Sequence, residues 1–244
     1  MKRILLTAVS LGTLSLLSPA FAADLPYAKA PSAAAAVYDW TGVYIGGYGG
    51  GGFGNHNYTN SNGPAGFANF TVNYDSTGGI GGGEVGYNWQ SGIYMTGIEA
   101  DGFWSGIKGN DASQALGVVD QSSLKWGGSL RARGGIAIDR LLLFFTGGWA
   151  FGDIQHTSTV PGVAVDQFTN HRNGLAAGGG IAYAITNNII GKLEYRYYDF
   201  GTYSRAGVPT LTPNGQLPYS VASTYSVVTV GFDVKFGGPV VAKY

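Results

Sequence analysis

The sequence contains no cysteine and few charged residues. Without cysteine the chain has no disulfide, thiolate metal site or cysteine nucleophile, and this absence fits an oxidising exterior. Charged residues make up only 11% of the 244 residues, with 14 acidic and 14 basic side chains. This balance offers no basic surface, so we expect no nucleic-acid partner. Nothing in the composition calls for a cofactor.

Long apolar runs are also missing after residue 22, which excludes a helical membrane span of about 20 residues. The N-terminus itself has the pattern of a secretory signal: Lys2 and Arg3, an apolar stretch over residues 4–17, and Ala20-Phe21-Ala22 as the cleavage site. A membrane-anchoring helix is the alternative, but the stretch is short for it. We therefore expect a signal peptide over residues 1–22 and, from its Ala and Pro content, a flexible periplasmic leader over residues 23–38.

Glycine and aromatic residues are abundant, with 42 Gly, 16 Tyr and 12 Phe. This much glycine would destabilise a helical domain by about 1 kcal/mol per residue relative to alanine. Glycine with aromatics instead indicates strands and turns. No Gly-X-Y period is present, which excludes a collagen-like chain.

From residue 39 onward, apolar residues alternate with small or polar ones in segments of about ten residues, which is the period of a strand with two different faces. Eight segments follow this pattern. They cover residues 41–54, 79–90, 93–104, 124–138, 141–153, 174–185, 189–200 and 225–236.

The connections between these segments alternate between long and short. The long ones cover residues 55–78, 105–123, 154–173 and 201–224, whereas the short ones have only two or three residues, at 91–92, 139–140 and 186–188. Outer-membrane barrels have tight periplasmic turns and long extracellular loops. The pattern predicts an all-β, eight-stranded antiparallel up-and-down transmembrane barrel over residues 39–236, with a short tail over residues 237–244.

Each predicted strand has one apolar face and one face with charged and small residues. A soluble sandwich or barrel would show the same alternation with its apolar face inward. We favour a charged lumen because the polar face carries few, nearly balanced charges among many Gly and Ala, and buried charges must pair. The predicted lumen charges are Glu84, Glu99, Asp101, Lys125, Arg131, Arg133, Lys192, Glu194, Arg196, Asp233 and Lys235. Among them we expect Glu99 and Glu194 to pair with arginines, and we expect Trp40, Tyr44, Trp89, Trp104, Trp126, Trp149 and Tyr195 to form the two interfacial girdles.

Several segments resemble the alpha-proteobacterial outer-membrane proteins of the Omp25/Omp31 type, grouped with the OmpA-like small barrels. The segments are DWTGVYIGG at residues 39–47, GGGEVGYNWQ at 81–90, GIEAD at 97–101 and KLEYRYYDFG at 192–201. The resemblance implies an abundant, surface-exposed and antigenic barrel in the outer membrane, in contact with lipid and lipopolysaccharide. It also implies periplasmic chaperones and the barrel-assembly machinery as partners, and a homo-oligomer is possible. The last strand resembles the assembly signal, with Phe232, Val234 and Phe236 alternating toward a final aromatic; Tyr244 is the alternative terminal aromatic.

Four functions remain to be weighed. We expect a structural barrel that supports envelope integrity without catalysis. A small-solute pore would need the lumen charges to rearrange, and large aqueous channels use 16 or more strands. Haemin or host-ligand binding could use the histidines, all in predicted extracellular loops: His56, His156 and His171. An enzyme would need a histidine beside a serine and an acid; no histidine lies on a predicted strand, and Ser129 reads as a small lumen residue.

Overall fold

The computed structural model describes residues 37–60, 71–111, 119–160, 164–205 and 219–237. The predicted signal peptide, nearly all of the leader and the tail with Tyr244 lie outside these residues. In the described part the protein is all-β, and no helix there is long and apolar enough to cross a membrane.

Nine strand segments pair antiparallel with their neighbours, and β1 pairs with both β2 and β9, so the sheet closes on itself. The short segment β4 continues the line of β3, because both pair with β5. The barrel therefore has eight strands, and the predicted fold class is confirmed. The segments are β1 (Gly42–Asn60), β2 (Thr71–Ser91), β3 (Tyr94–Ser105), β4 (Lys108–Asp111), β5 (Val119–Ile138), β6 (Leu141–Val160), β7 (Ala164–Ala184), β8 (Ile189–Arg205) and β9 (Tyr219–Phe236).

All three short connections lie at one end of the barrel, which we call the turn end. Gly92 and Asp139 adopt left-handed φ values of 62° and 49° in two of these tight turns, a conformation that glycine and aspartate tolerate better than most residues. We call the opposite end, where the long connections begin, the loop end.

The outer surface of the barrel is apolar. The large apolar and aromatic side chains on the predicted apolar faces of strands β2, β8 and β9 are all exposed, from Tyr197 at 38% to Trp89 at 65%. Soluble proteins bury such residues, so this exposed belt needs a lipid environment. The predicted girdle residues Trp89, Trp104, Trp126, Trp149 and Tyr195 face outward, whereas Trp40 and Tyr44 are buried inside, which corrects their assignment to the girdles.

The strands extend further toward the loop end than the sequence pattern predicts. β1 continues to Asn60 rather than residue 54, β2 begins at Thr71 rather than residue 79, and β6 continues to Val160 rather than residue 153. Beyond the apolar belt the outward positions are polar, so the alternation that reveals a strand fades even though the backbone ladder continues. At the turn end the predicted boundaries agree within about one residue with the structure.

Candidate functional site in the barrel lumen

A layer of charged side chains crosses the middle of the lumen. It is built by inward positions of β2, β3, β5 and β8, where alternate residues share a face. Each side chain in the layer exposes at most 2% of its surface. We call these eight residues the charged layer: Glu84, Glu99, Asp101, Arg131, Arg133, Lys192, Glu194 and Arg196.

The ion pairs of the charged layer connect opposite walls of the barrel. Arg131 of β5 contacts Glu99 on β3 and, at 2.6 Å, Glu194 on β8. Arg196 lies 2.7 Å from Glu194 and 3.0 Å from Glu84 of β2. With four acids and four bases, the formal charges of the layer cancel.

The remaining partners of the layer join Glu99 to the other cations. Arg133 lies 3.2 Å from Glu99, and Lys192 contacts both Glu84 and Glu99. Because an unpaired buried charge is very unfavourable, this mutual compensation is what allows eight charges to be buried together.

Two tyrosines of β1 complete the layer. The hydroxyls of Tyr44 and Tyr48 each donate a hydrogen bond of 2.7 Å, to Glu99 and to Asp101. The Arg196 guanidinium lies 4.2 Å from the centre of the Tyr48 ring, a cation–π distance. Neither tyrosine was predicted to lie in the lumen, although both occupy the same face of β1 as Gly46, which lies between them in the sequence. Ser129 is a lumen residue, as expected, and donates to Asp101.

The other predicted lumen charges lie elsewhere. Asp233 is buried beside Glu84 but forms no ion pair among the described residues. Lys235 sits at the turn end, where its ammonium contacts the Asp39 carbonyl and lies 4.2 Å from the Tyr38 ring centre. Lys125 is exposed, because a register shift between Leu124 and Trp126 removes it from the inward face. Its prediction as a lumen charge is wrong.

Three carboxylates of the charged layer, from Glu84, Glu99 and Glu194, place oxygens within 4.8 Å of one another. Such a cluster could hold a cation. Here each carboxylate already contacts arginine or lysine, so the protein supplies its own counter-charges. The geometry therefore fits a structural ion-pair network rather than a metal site.

An apolar plug fills the turn end. Tyr38 and Trp40 precede β1 and enter the barrel, where the Trp40 indole donates 3.0 Å to the Asp139 carbonyl and the Tyr38 hydroxyl donates to the Asn187 carbonyl. The same buried cluster contains Met95 and Phe144, together with other inward residues of the turn end. Apolar filling and hydrogen bonds to two different turns close this end of the lumen.

A second polar region lies toward the loop end, beyond an apolar layer that includes Phe103 and Tyr198. We call it the outer chamber; it is formed by His56, Tyr74, Ser122, His156, Arg172 and Tyr225. The Nδ1 and Nε2 atoms of His56 lie 3.1 Å and 3.2 Å from the hydroxyls of Ser223 and Ser76. Ser122 lies 2.5 Å from the Tyr74 hydroxyl and 2.7 Å from Nδ1 of His156.

The histidines lie on strands and not in loops, which corrects the sequence prediction. His56 of β1 and His156 of β6 point into the outer chamber, whereas His171 of β7 is exposed on the outer face beside Asp153. The outward apolar positions of β1 and β6 end at Phe53 and Phe151, so His56 and His156 lie beyond the membrane-spanning part. Burial lowers the pKa of each imidazole to about 4.

The residues of the predicted assembly signal line the outer surface of the last strand. Phe232, Val234 and Phe236 are exposed on β9, and Phe236 is its last residue. Their role in assembly stays a prediction, since a folded barrel does not reveal how it was inserted.

A closed antiparallel barrel with an apolar outer belt and a charged interior defines the class of outer-membrane β-barrel proteins. The comparisons with known proteins agree. The family described as "Outer membrane protein beta-barrel domain" matches residues 22–236, and the chain belongs to this family. The protein is therefore located in the outer membrane, with the turn end toward the periplasm and the loop end outside.

Relatives that are similar in sequence are also outer-membrane proteins. The chain is 34% identical to the 31 kDa outer-membrane immunogenic protein of Brucella melitensis, over 89% of this chain and 93% of that protein. It is 31% identical to the 25 kDa outer-membrane immunogenic protein of Brucella abortus, over 83% and 88%. These relatives confirm the Omp25/Omp31 resemblance. Among solved structures, the outer membrane protein OprG of Pseudomonas aeruginosa is similar in fold, with a TM-score of 0.51, 12% identity and coverage of 83% and 99%.

Proposed function

We propose that the protein is a closed, non-catalytic barrel that contributes to the integrity of the outer membrane and presents its long connections to the outside. The observation that carries this proposal is the charged layer. Its ion pairs span the lumen from wall to wall and leave each side chain at most 2% exposed.

The layers above and below strengthen the argument against a permanent channel. A solute moving along the barrel axis would have to pass the apolar cluster around Tyr48 and Phe103, then the charged layer, then the plug of Tyr38 and Trp40. Eight strands enclose an interior just wide enough for side chains. A conducting path would require ion pairs such as Arg131–Glu194, at 2.6 Å, to separate in a water-poor interior.

The alternative is a small-solute pore, and planar-bilayer recordings separate the two. We expect the refolded protein to give no channel events, and a variant with an emptied layer, Glu99→Ala with Arg131→Ala and Arg196→Ala, to give more than the wild type. A multi-stranded porin in the same bilayers is the positive control. Regular conductance steps from the wild type would sink the closed-barrel proposal.

The integrity role is tested in cells. Deletion should raise the permeability of the outer membrane to large dyes and its sensitivity to detergent, and the wild-type gene should restore both. A control strain should carry the gene with its export signal removed, which makes the protein but keeps it out of the membrane. Unchanged permeability after deletion would rule out this part of the proposal.

Absence of catalysis belongs to the proposal as well. The Ser122–His156 contact of 2.7 Å is the nearest approach to a nucleophile and base. A catalytic triad also needs a carboxylate beside the histidine that bonds to the serine, and the Asp153 carboxylate contacts His171 on the outer face of the barrel. Ser122 is also buried inside the barrel rather than on the lipid face, so acyl chains of membrane lipids would not reach it.

Haemin or host-ligand binding through the loops is the second alternative. His56 and His156 face the lumen and His171 faces outward, so the three do not converge on one loop surface. A triple alanine variant that binds haemin as the wild type does would remove these histidines from consideration. Contacts with lipopolysaccharide, chaperones and the assembly machinery, and any homo-oligomer, remain proposals that follow from membership of the family.

A further inference from the structure

The outer chamber contains a buried cation, Arg172, that forms no ion pair with any carboxylate among the described side chains. Arg172 of β7 points inward and is 7% exposed. Its Nη2 donates to the carbonyls of Gly201 and Val221, at 3.3 Å each, while its Nε finds no hydrogen-bond acceptor. None of the carboxylates with described side chains forms an ion pair with it, in contrast to the three arginines of the charged layer.

Other donors around Arg172 are also unsatisfied. The hydroxyl of Tyr225 is buried without a hydrogen-bond partner, and so is the amide nitrogen of Asn170, which lies two residues from Arg172 on the same strand face. The remaining groups of the chamber are neutral, namely the imidazoles of His56 and His156 and the hydroxyls of Tyr74 and Ser122. Hydrogen-bond donors and the positive charge of Arg172 lie in this chamber, and no carboxylate with a described side chain forms an ion pair with Arg172.

The wall of the barrel is incomplete beside Arg172. The ladder between β7 and β8 runs from Ala184 and Ile190 to Leu175 and Asp199 and stops there. Beyond that point β7 remains paired with β6 and β8 with β9, but the described residues of β7 and β8 show no further pairing with each other. Arg172 crosses this seam, since its two backbone acceptors belong to residues of β8 and β9. Among the described residues, no backbone ladder between β7 and β8 separates the guanidinium from the side of the barrel at this seam.

We propose that the outer chamber binds a single small oxyanion, a phosphate or carboxylate group, with the Arg172 guanidinium as its charged partner. The unpartnered Nε–H of Arg172 is free to donate a charge-assisted hydrogen bond to an oxygen of such a group. The Tyr225 hydroxyl and Asn170 amide supply further donors. The anion supplies the charge that a buried arginine requires, and it arrives either as a free solute or as the phosphate of a lipid headgroup at the seam.

The test uses the full-length mature protein refolded in uncharged detergent micelles. Inorganic phosphate is titrated at constant ionic strength, and binding is followed through the NMR signal of the arginine Nε–H groups and the thermal midpoint. We expect one Nε–H signal to shift with saturation and to be absent in Arg172→Gln, which should bind phosphate at least about tenfold more weakly. The phosphate affinity of Arg172→Lys should fall between those of the wild type and Arg172→Gln, because lysine keeps the charge but lacks the guanidinium with its Nε–H. Lys108→Gln, an exposed charge near the loop end, is the matched control and should leave binding unchanged.

A second experiment distinguishes the two sources of the anion, a free solute and a lipid headgroup. Mixed micelles carry lipid A with its phosphates or lipid A from which they have been removed. A shift of the same signal with the phosphorylated lipid alone identifies a headgroup, whereas a shift with inorganic phosphate identifies a solute, and either result supports the site. Equal responses of wild type and Arg172→Gln to every probe would overturn it.

The thermal stability measured without added anion distinguishes anion binding from a purely structural role of Arg172. If Arg172 serves an anion, then Arg172→Gln removes an uncompensated charge and should unfold at the same temperature as the wild type or higher. If Arg172 is only a clamp between β8 and β9, the variant should unfold at a lower temperature and show no dependence on phosphate, and this pair of results would contradict the proposal.

Discussion

The charged layer and the outer chamber lie in the same lumen and solve the problem of buried polar groups differently. In the charged layer, each cation contacts at least one carboxylate and the formal charges cancel. In the outer chamber, hydroxyls and imidazoles bond to one another, and Arg172 bonds to two backbone carbonyls and lies 5.1 Å from the centre of the Tyr203 ring. The eight charges of the first region balance one another, whereas Arg172 in the second has no ion-pair partner among the described side chains.

This difference indicates what each region is for. A network that satisfies its own charges rigidifies the barrel and blocks the lumen, since every rearrangement leaves a charge unpaired. A region with spare donors can accept a group from outside without losing an internal partner. These features support our proposals that the middle of the barrel is structural and that the loop end binds a ligand.

The largest expected effect comes from breaking the charged layer at Glu99, which contacts Arg131, Arg133 and Lys192. Glu99→Gln keeps the shape of the side chain but removes the negative charge that these three cations share. We expect a loss of about 3 to 5 kcal/mol in the free energy of unfolding. Urea unfolding of the barrel in lipid vesicles, followed by tryptophan fluorescence, measures it. Lys125→Gln changes an exposed charge and should alter stability by less than about 0.5 kcal/mol. A similar small loss in both variants would mean that the ion pairs do not stabilise the fold.

The next effect tests how tightly the lumen is packed next to that layer. Gly148 of β6 pairs directly with Arg131, and a Cβ added there would come within 2.1 Å of the backbone carbonyl of Leu130. Its neighbour Gly147 faces outward and has nothing within 4 Å of an added Cβ. We expect Gly148→Ala to destabilise the barrel by about 1 to 3 kcal/mol, and Gly147→Ala to leave it unchanged or slightly more stable. Equal effects of the two substitutions would show that the lumen can relax around a methyl group.

The sequence predicts the membrane-spanning half of this molecule well and the outer half poorly, for a physical reason. Lipid on one side and a charged lumen on the other impose strict alternation, so the strand positions, the eight-stranded closure and most lumen charges follow from the pattern. Beyond the belt, water meets both faces, and the strands around His56 and His156 read as loops. The prediction that Lys125 lies in the lumen was wrong because a β-bulge changes which face of the strand the neighbouring residues occupy. The gap between β7 and β8 at Arg172 depends on pairing between strands, which no single segment encodes.

The last predicted effect, the smallest for a single residue, concerns the two imidazoles of the outer chamber. Burial holds the pKa of His56 and His156 at about 4 in the folded barrel, against an ordinary value of about 6.5 in the unfolded chain. The unfolded chain therefore binds protons first, and the stability that the neutral imidazoles contribute is present above about pH 6.5 and is lost as the pH falls toward 4.

Between pH 7 and pH 5 we expect each histidine to account for a loss of about 1 to 2 kcal/mol. The measurement is the difference in unfolding free energy between wild type and the His56→Gln, His156→Gln double variant at both pH values, which cancels the titration of all other groups. His171→Gln removes an exposed imidazole on the outer face and should keep the wild-type dependence. If the double variant keeps it as well, the two imidazoles are solvated in the folded barrel, and the outer chamber is open to water rather than closed by its own hydroxyls.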